Sequence, residues 1–207
     1  VGAYERNKEA ADTENRYILR CKNTDKICIF TDRGQMHLLK VLDLPYGKFR
    51  DKGTPIDNLS NYNSSEENLV YIAPMADIRQ KKLLFGTKTA MLKLVSGAEF
   101  DVAKRTTAAT KLNEGDMVLF VHPAAESDHI VMQSAKDMFL RIEAGTIPEK
   151  KKGAVGVRGM RLASGDQLEA IYLLREEDEP VSVRIKDKEV VLNRLHVANR
   201  DTKGVKR

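Results

Sequence analysis

Five segments bunch lysines and arginines beside a glycine or another small residue. They read "GAYERNKEAAD" (2–12), "LPYGKFRDKGTPI" (44–56), "AEFDVAKRTTAAT" (98–110), "TIPEKKKGAVGV" (146–157) and "VANRDTKGVKR" (197–207). The chemistry these residue types support is phosphate capture. An ammonium neutralises the charge, a guanidinium fits it as a flat fork, and a glycine lets backbone N–H groups come close to its oxygens. Gly53, Gly153 and Gly204 each directly follow a lysine and are the candidates for that close approach. The side chains of this basic rim are Arg50, Lys52, Lys104, Arg105, Lys150, Lys151, Lys152, Arg158, Arg161, Arg200, Lys203, Lys206 and Arg207. One such cluster alone is what a solvated face or a protected sheet edge looks like. Its return in the same slot of successive units points to a ligand.

Other chemistry finds little support. Asp116 and Asp166 sit in matching Gly-Asp contexts, as turn-capping groups do, and not as an acid pair. No nucleophile–base pair and no phosphate loop leading into a helix is visible, so an enzyme is the weakest reading. His37, His122, His129 and His196 are scattered, and Cys21 and Cys28 read as ordinary thiols of a reducing compartment. No metal and no cofactor is expected.

The elements that position the rim repeat. "KICIFTDRGQMHLLKV" (26–41), "KLLFGTKTAMLKLV" (82–95), "HIVMQSAKDMFLRI" (129–142) and "VSVRIKDKEVVLNRL" (181–195) each join two apolar runs through a polar turn, which is the hairpin signature. Aligning Thr31, Thr87, Ser134 and Ile185 gives spacings of 56, 47 and 51 residues. Between hairpins, "KLNEGDMVLFV" (111–121) matches "RLASGDQLEAIYLL" (161–174), and "YNSSEENLVYIAP" (62–74) fills the same slot earlier. Each reads as a turn followed by a strand entering the core. Phe30, Phe85, Phe120, Phe139 and Tyr172 are expected in that core, and Tyr4, Tyr46, Phe49 and Phe100, beside the basic slots, either pack beneath the long hairpins or touch sugar. "RQKK" (79–82) and the acidic "EEDE" (176–179) read as solvated loops.

A period near 50 with about four strands per unit predicts an all-β propeller-like array of about four four-stranded blades. Their approximate bounds are 1–41, 42–95, 96–142 and 143–195, with 196–207 as a closing strap. The best helix candidate, Arg6 to Arg20, lacks a wide apolar stripe. The 207 residues are 42% hydrophobic and 31% charged, with net charge +5 and pI near 9.1, ordinary for one soluble domain that leans towards a polyanion. No apolar run is long enough to span a membrane. The polar opening and the missing initial Met read as an excised or processed chain.

Absence of Trp excludes WD40 blades. "CIFTDRGQMHLLKVLDLP" followed by "RDKGTPIDNL", then "EFDVAKRTTAATKL", "IPEKKKGAVGVRGMRL" and "RDTKGVKR", closely resembles the C-terminal domain of bacterial type IIA topoisomerase A subunits, the gyrase A and topoisomerase IV A family. The resemblance runs through essentially the whole chain. It implies a β-pinwheel that binds and bends double-stranded DNA around its basic rim, without chemistry of its own. The cleaving tyrosine of that family lies in a separate region. It further implies a cytoplasmic, nucleoid-associated parent in which the domain serves the A-subunit core and, through it, the B subunit, while being monomeric on its own. Two departures stand out. Gly34 keeps the family's hairpin glycine, but Ala90, Asp137 and Lys188 hold the matching places, so those turns are expected to be built differently. The gyrase-type heptapeptide is missing, its nearest slots being "GKFRDKG", "VAKRTTA" and "EKKKGAV". Either it lies upstream or the parent is topoisomerase IV-like. The alternative function is a propeller-type platform for an acidic protein partner, favoured by a local patch of exposed aromatics instead of periodic charge.

Overall fold

The computed structural model describes residues 2–207. Four hairpins order it: β1 (Lys26–Thr31) with β2 (Gln35–Lys40), β4 (Lys82–Thr87) with β5 (Met91–Ser96), β8 (His129–Ser134) with β9 (Met138–Glu143), and β12 (Ser182–Ile185) with β13 (Lys188–Val191). All four coincide with the repeats read from the sequence. Their tight turns need one residue at positive φ. Gly34 supplies it in the first, at 74°. Ala90 at 64° and Asp137 at 57° adopt the same left-handed conformation. Those two turns are therefore built like the first, contrary to expectation, at a steric cost of roughly 1–2 kcal/mol each. In the fourth hairpin the left-handed residue is Lys186, at 53°, and not Lys188.

Each of the first three hairpins gains one strand on either side. Beside the first strand of each lie β3 (Leu69–Pro74), β7 (Val118–Pro123) and β11 (Leu168–Leu174), the strands expected after the turn elements. Beside the second lie short strands from farther along: β6 (Thr106–Ala108) on β2, β10 (Val157–Arg158) on β5, and β14 (Val205–Lys206) on β9. The result is three four-stranded antiparallel sheets, while β12 and β13 form a two-stranded one among the described residues. Helix is confined to α1 (Ala3–Glu14), α2 (Met75–Ile78) and short 3-10 turns. The first helix starts and ends earlier than the sequence suggested and buries none of its residues.

Consecutive sheets share their cores. Phe30 of the first sheet meets Phe85 of the second at 5.9 Å between ring centroids, and Phe100 seals the contact at 5.0 Å from Phe30. Leu84, Leu92, Ile130, Met132, Leu140 and Ile171 do the same between second and third sheets, and Val131, Phe139 and Leu174 meet Leu192 and Leu195 near the fourth hairpin. Burying one such Phe or Leu contributes about 1.5–3 kcal/mol. Phe120 and Tyr172 are only partly buried.

Candidate nucleic-acid interface

All three outer strands β6, β10 and β14 are delivered by the basic segments. Lys104 and Arg105 run straight into β6, Lys150–Lys152 precede β10, and Arg200 and Lys203 precede β14. The charge thus sits where the last strand of each sheet is laid down.

The second of these segments makes an arch. Glu149 lies parallel beside Leu94, whose N–H donates to the Pro148 carbonyl at 3.1 Å and whose carbonyl accepts from Lys150 N–H at 2.8 Å. After a detour the chain returns antiparallel, with Val157 opposite Leu92. Residues 150–156 therefore bridge Lys93. Gly156 closes the arch at φ 105°, where a Cβ would come within 2.5 Å of the Leu92 carbonyl oxygen. Lys93 fills the space beneath and is 1% exposed. Its Nζ donates to the carbonyls of Ala154 (2.7 Å), Lys152 (2.9 Å) and Lys151 (3.3 Å). The Phe85 ring lies 5.4 Å away, and Thr110 Oγ1 donates to the Ala154 carbonyl at 3.2 Å. Desolvation pushes the Lys93 ammonium down to about 8, against the pull of Glu99.

Glu99 holds the arch from its flank. It accepts from Lys152 N–H at 2.9 Å and pairs with the Lys151 ammonium at 3.3 Å. Burial opposes its charge, but those two donors hold its carboxyl below the ordinary range. The three lysines are not equivalent. Lys150 is exposed and the Lys151 side chain is 89% exposed, whereas Lys152 turns inward, its Nζ donating to Glu99 O and Thr107 Oγ1.

A second arch follows the same path. Val197 lies beside Arg141, Val205 beside Phe139, and residues 198–204 bridge Leu140. The filling is apolar, with Leu140 and Met160 buried, and Gly204 closes the span. A Cβ on Gly204 would approach the Phe139 carbonyl oxygen to 2.9 Å and would run into the Met160 methyl. Gly204 thus corresponds to Gly156, not to Gly153, and has a packing reason to be glycine. Gly53 and Gly153 have open space around them. Here the basic residues converge on an anion. Arg158 makes a two-pronged contact to Asp201, Arg161 lies 3.8 Å from the same carboxylate, and Arg200 Nη1 donates to the Arg158 carbonyl at 2.8 Å. The Arg158 hydrogen bond, more than any other cause, lowers the Asp201 carboxyl.

Arg50, Lys52, Lys104, Lys203, Lys206 and Arg207 are exposed, and Arg105 makes only a 3.9 Å contact to Asp43. Lys206 and Arg207 share a concavity of about 530 Å³ with Lys188 and Arg194, two cations that the repeat pattern missed because they belong to the fourth hairpin. Asp116 caps as expected, accepting from Thr89 N–H at 3.0 Å and Thr89 Oγ1 at 2.6 Å across from its own turn. Asp166 accepts more weakly from Lys136 N–H. Arg79 and Lys82 are ion-paired with Asp101 and with Glu126 and Glu149, unlike free loop charges. The aromatics divide. Phe100 is fully buried, but Tyr46 is 99% exposed, and Tyr4 and Phe49 stack on one another at the surface, 5.5 Å apart. They do not pack beneath the hairpins, and α1, which carries Tyr4, buries none of its residues. No group of His, Cys, Asp and Glu among the described residues could hold a metal ion, and no helix there is long and apolar enough to cross a membrane.

An all-β chain of this kind, with sheets that take their outer strand from the following unit, is a β-pinwheel. The family model for the DNA gyrase C-terminal domain, a beta-propeller, matches residues 81–125 and 128–175. The chain is 28% identical over 88% of its length to the DNA gyrase A protein of Lawsonia intracellularis, and 27% identical over 80% to that of Salmonella typhimurium. It spans only 23% and 19% of those two relatives. Its fold is similar to the C-terminal domain of DNA topoisomerase IV, with a TM-score of 0.84 at 21% identity, covering 97% of this chain and 66% of that one. It is also similar to the DNA gyrase A C-terminal domain, with a TM-score of 0.66 at 18% identity, covering 89% of this chain and 60% of that one. In sequence and in fold the chain is similar to the C-terminal β-pinwheel domains of type IIA topoisomerase A subunits.

Proposed function

We propose that this chain is a single, non-catalytic DNA-binding domain that bends duplex DNA along its basic rim and presents it to the strand-passage core of a type IIA topoisomerase. The observation that carries this reading is the delivery of every outer strand by a basic segment. Duplex DNA offers a charge roughly every 1.7 Å of axis, so repeated cations at sheet edges meet repeated phosphates. No recognition helix is at hand, so contacts go to the backbone, and preference follows bendability and not base identity. In this reading Arg50, Lys52, Lys104, Lys150, Lys151, Lys203, Lys206 and Arg207 contact phosphate directly, and Gly53 and Gly153 leave room for close backbone approach. The parent protein is cytoplasmic and nucleoid-associated, the domain is monomeric alone, and its partners are the A-subunit core and, through it, the B subunit.

The test is binding to a mixed-sequence linear duplex across a salt titration, with nick ligation of a relaxed plasmid alongside. Tight binding that weakens steeply with salt supports the rim. A shift in linking number reports chiral wrapping, and its absence reports simple bending. No binding at low salt overturns the reading. One observation favours a second reading, a platform for an acidic protein: the exposed Tyr4–Phe49 pair, with exposed Tyr46, Lys48 and Arg50 close to Phe49 in sequence. If the duplex fails to bind, that patch becomes the place to look.

A further inference from the structure

Lys93 is a buried cation without a carboxylate within 4 Å among the described residues. Such a group is costly to desolvate, and the fold meets it with three carbonyls at 2.7–3.3 Å from a single segment, the Ala109 carbonyl lying farther off at 3.5 Å. Those carbonyls belong to Lys151, Lys152 and Ala154, within the span whose side chains are offered to solvent. In a backbone arch, drawing carbonyls inward decides which way the alternate side chains face. The Lys151 side chain is 89% exposed and Lys150 is exposed, while the ammonium beneath the arch reaches no surface.

We propose that Lys93 is a positioning residue of the rim: its ammonium gathers the carbonyls of residues 151–154 and so holds the arch in the shape that directs Lys150 and Lys151 at phosphate. The proposal rests on the DNA reading above. Lys93 itself touches no DNA. Replacing it by Met keeps the length and removes the donors. The Lys151 and Lys152 carbonyls then lose the ammonium and the Ala154 carbonyl keeps only Thr110, and acceptors left without their donor draw water into the arch. The two phosphate contacts go with it.

The experiment uses the 207-residue chain with a mixed-sequence duplex. Salt dependence of binding is measured for the parent sequence, Lys93→Met, the pair Lys150→Gln with Lys151→Gln, and all three changes together. Amide hydrogen exchange is followed at residues 150–156, and thermal unfolding reports integrity. The expected results are faster exchange confined to the arch and a salt slope for Lys93→Met reduced by roughly 1 to 2, the loss of one or two phosphate contacts at about 0.9 each. The triple variant should bind like the double. A stabilising role alone would lower the melting temperature and leave the slope unchanged.

Unaltered exchange and slope in Lys93→Met overturn the proposal. So does a triple variant that binds more weakly than the double. If Lys93→Met does not fold, Lys93→Leu with Thr110→Met copies the apolar filling of the second arch and carries the same two readouts. Should Lys150→Gln with Lys151→Gln leave binding untouched, the rim reading and this proposal fall together. A binding rim that ignores Lys93 sinks this proposal alone.

Discussion

The two arches share a backbone path and differ in what lies beneath it. Residues 150–156 close over Lys93 and Thr110, whereas residues 198–204 close over Leu140 and Met160. The first is held from below by an ammonium aimed at particular carbonyls, whereas the second rests on apolar side chains and takes its hydrogen bonds at the flank, from Asp201 N–H to the Gly159 carbonyl and from Arg161 N–H to the Thr202 carbonyl. The surfaces above them differ in the same sense. Over the polar filling stand two exposed ammoniums, and over the apolar filling Arg158 and Arg161 are drawn onto Asp201 while Arg200 donates to the Arg158 carbonyl. A polar filling costs desolvation but fixes direction. That is the more useful property where side chains must point outward.

The contrast can be broken most severely by exchanging the fillings. Leu140→Lys buries an ammonium under an arch with no carbonyls gathered for it, and should cost roughly 3 kcal/mol or more in denaturant unfolding. Next in size is a pH effect that only the polar arch should show. Lys93 titrates near 8 in the fold against 10.5 ordinarily. Below about 8 both folded and unfolded chains hold the proton and nothing changes. Above it the native state has released a proton that the unfolded chain keeps, so stability rises with pH. Between pH 8 and 9.5 the parent should gain up to about 2 kcal/mol relative to Lys93→Met. Glu99, Lys151 and Lys152, which also face this site, are present in both proteins and cancel.

The closing glycines give a finer comparison. Gly156→Ala forces a side chain onto φ 105° with a carbonyl oxygen in the way, for roughly 2 kcal/mol. Gly204→Ala meets the flexible Met160 methyl and the Phe139 carbonyl oxygen but needs no left-handed backbone, and should lower stability by about half as much, roughly 1 kcal/mol. The smallest effect concerns the surface. Asp201→Asn keeps a residue type that tolerates φ 60° while releasing Arg158 and loosening Arg161, which keeps its bond to the Asp201 backbone carbonyl. DNA affinity should rise several-fold and the salt slope steepen by roughly 1. Unchanged binding would mean that those arginines serve the fold alone. Lys150→Glu should weaken DNA binding without loss of stability, but Lys151→Glu and Lys152→Glu each set a carboxylate beside Glu99 and should destabilise the arch.

Hairpins were legible because strand alternation and turn composition are local, and their spacing exposed the repeat. The basic slots were legible for the same reason. Turn conformation at Ala90 and Asp137 was not, since a side chain forced to positive φ by its surroundings looks like any other. Lys93 was hidden by its own pattern. In "MLKLV" a lysine between leucines reads as an outward charge on a half-buried strand, and only an arch arriving from more than fifty residues away covers that face. The partners of β6, β10 and β14 were equally out of reach, because two- or three-residue strands carry almost no periodicity.

The borrowed outer strands also set an order of events. Gln35 waits for Ala108, Leu92 for Val157 and Phe139 for Val205. As the chain leaves the ribosome, each sheet stands with one edge bare until the next unit is made, and it is sealed only when the basic segment beyond that unit emerges. Assembly is thus vectorial, and an interruption in synthesis always leaves the newest sheet open while the older ones are shut.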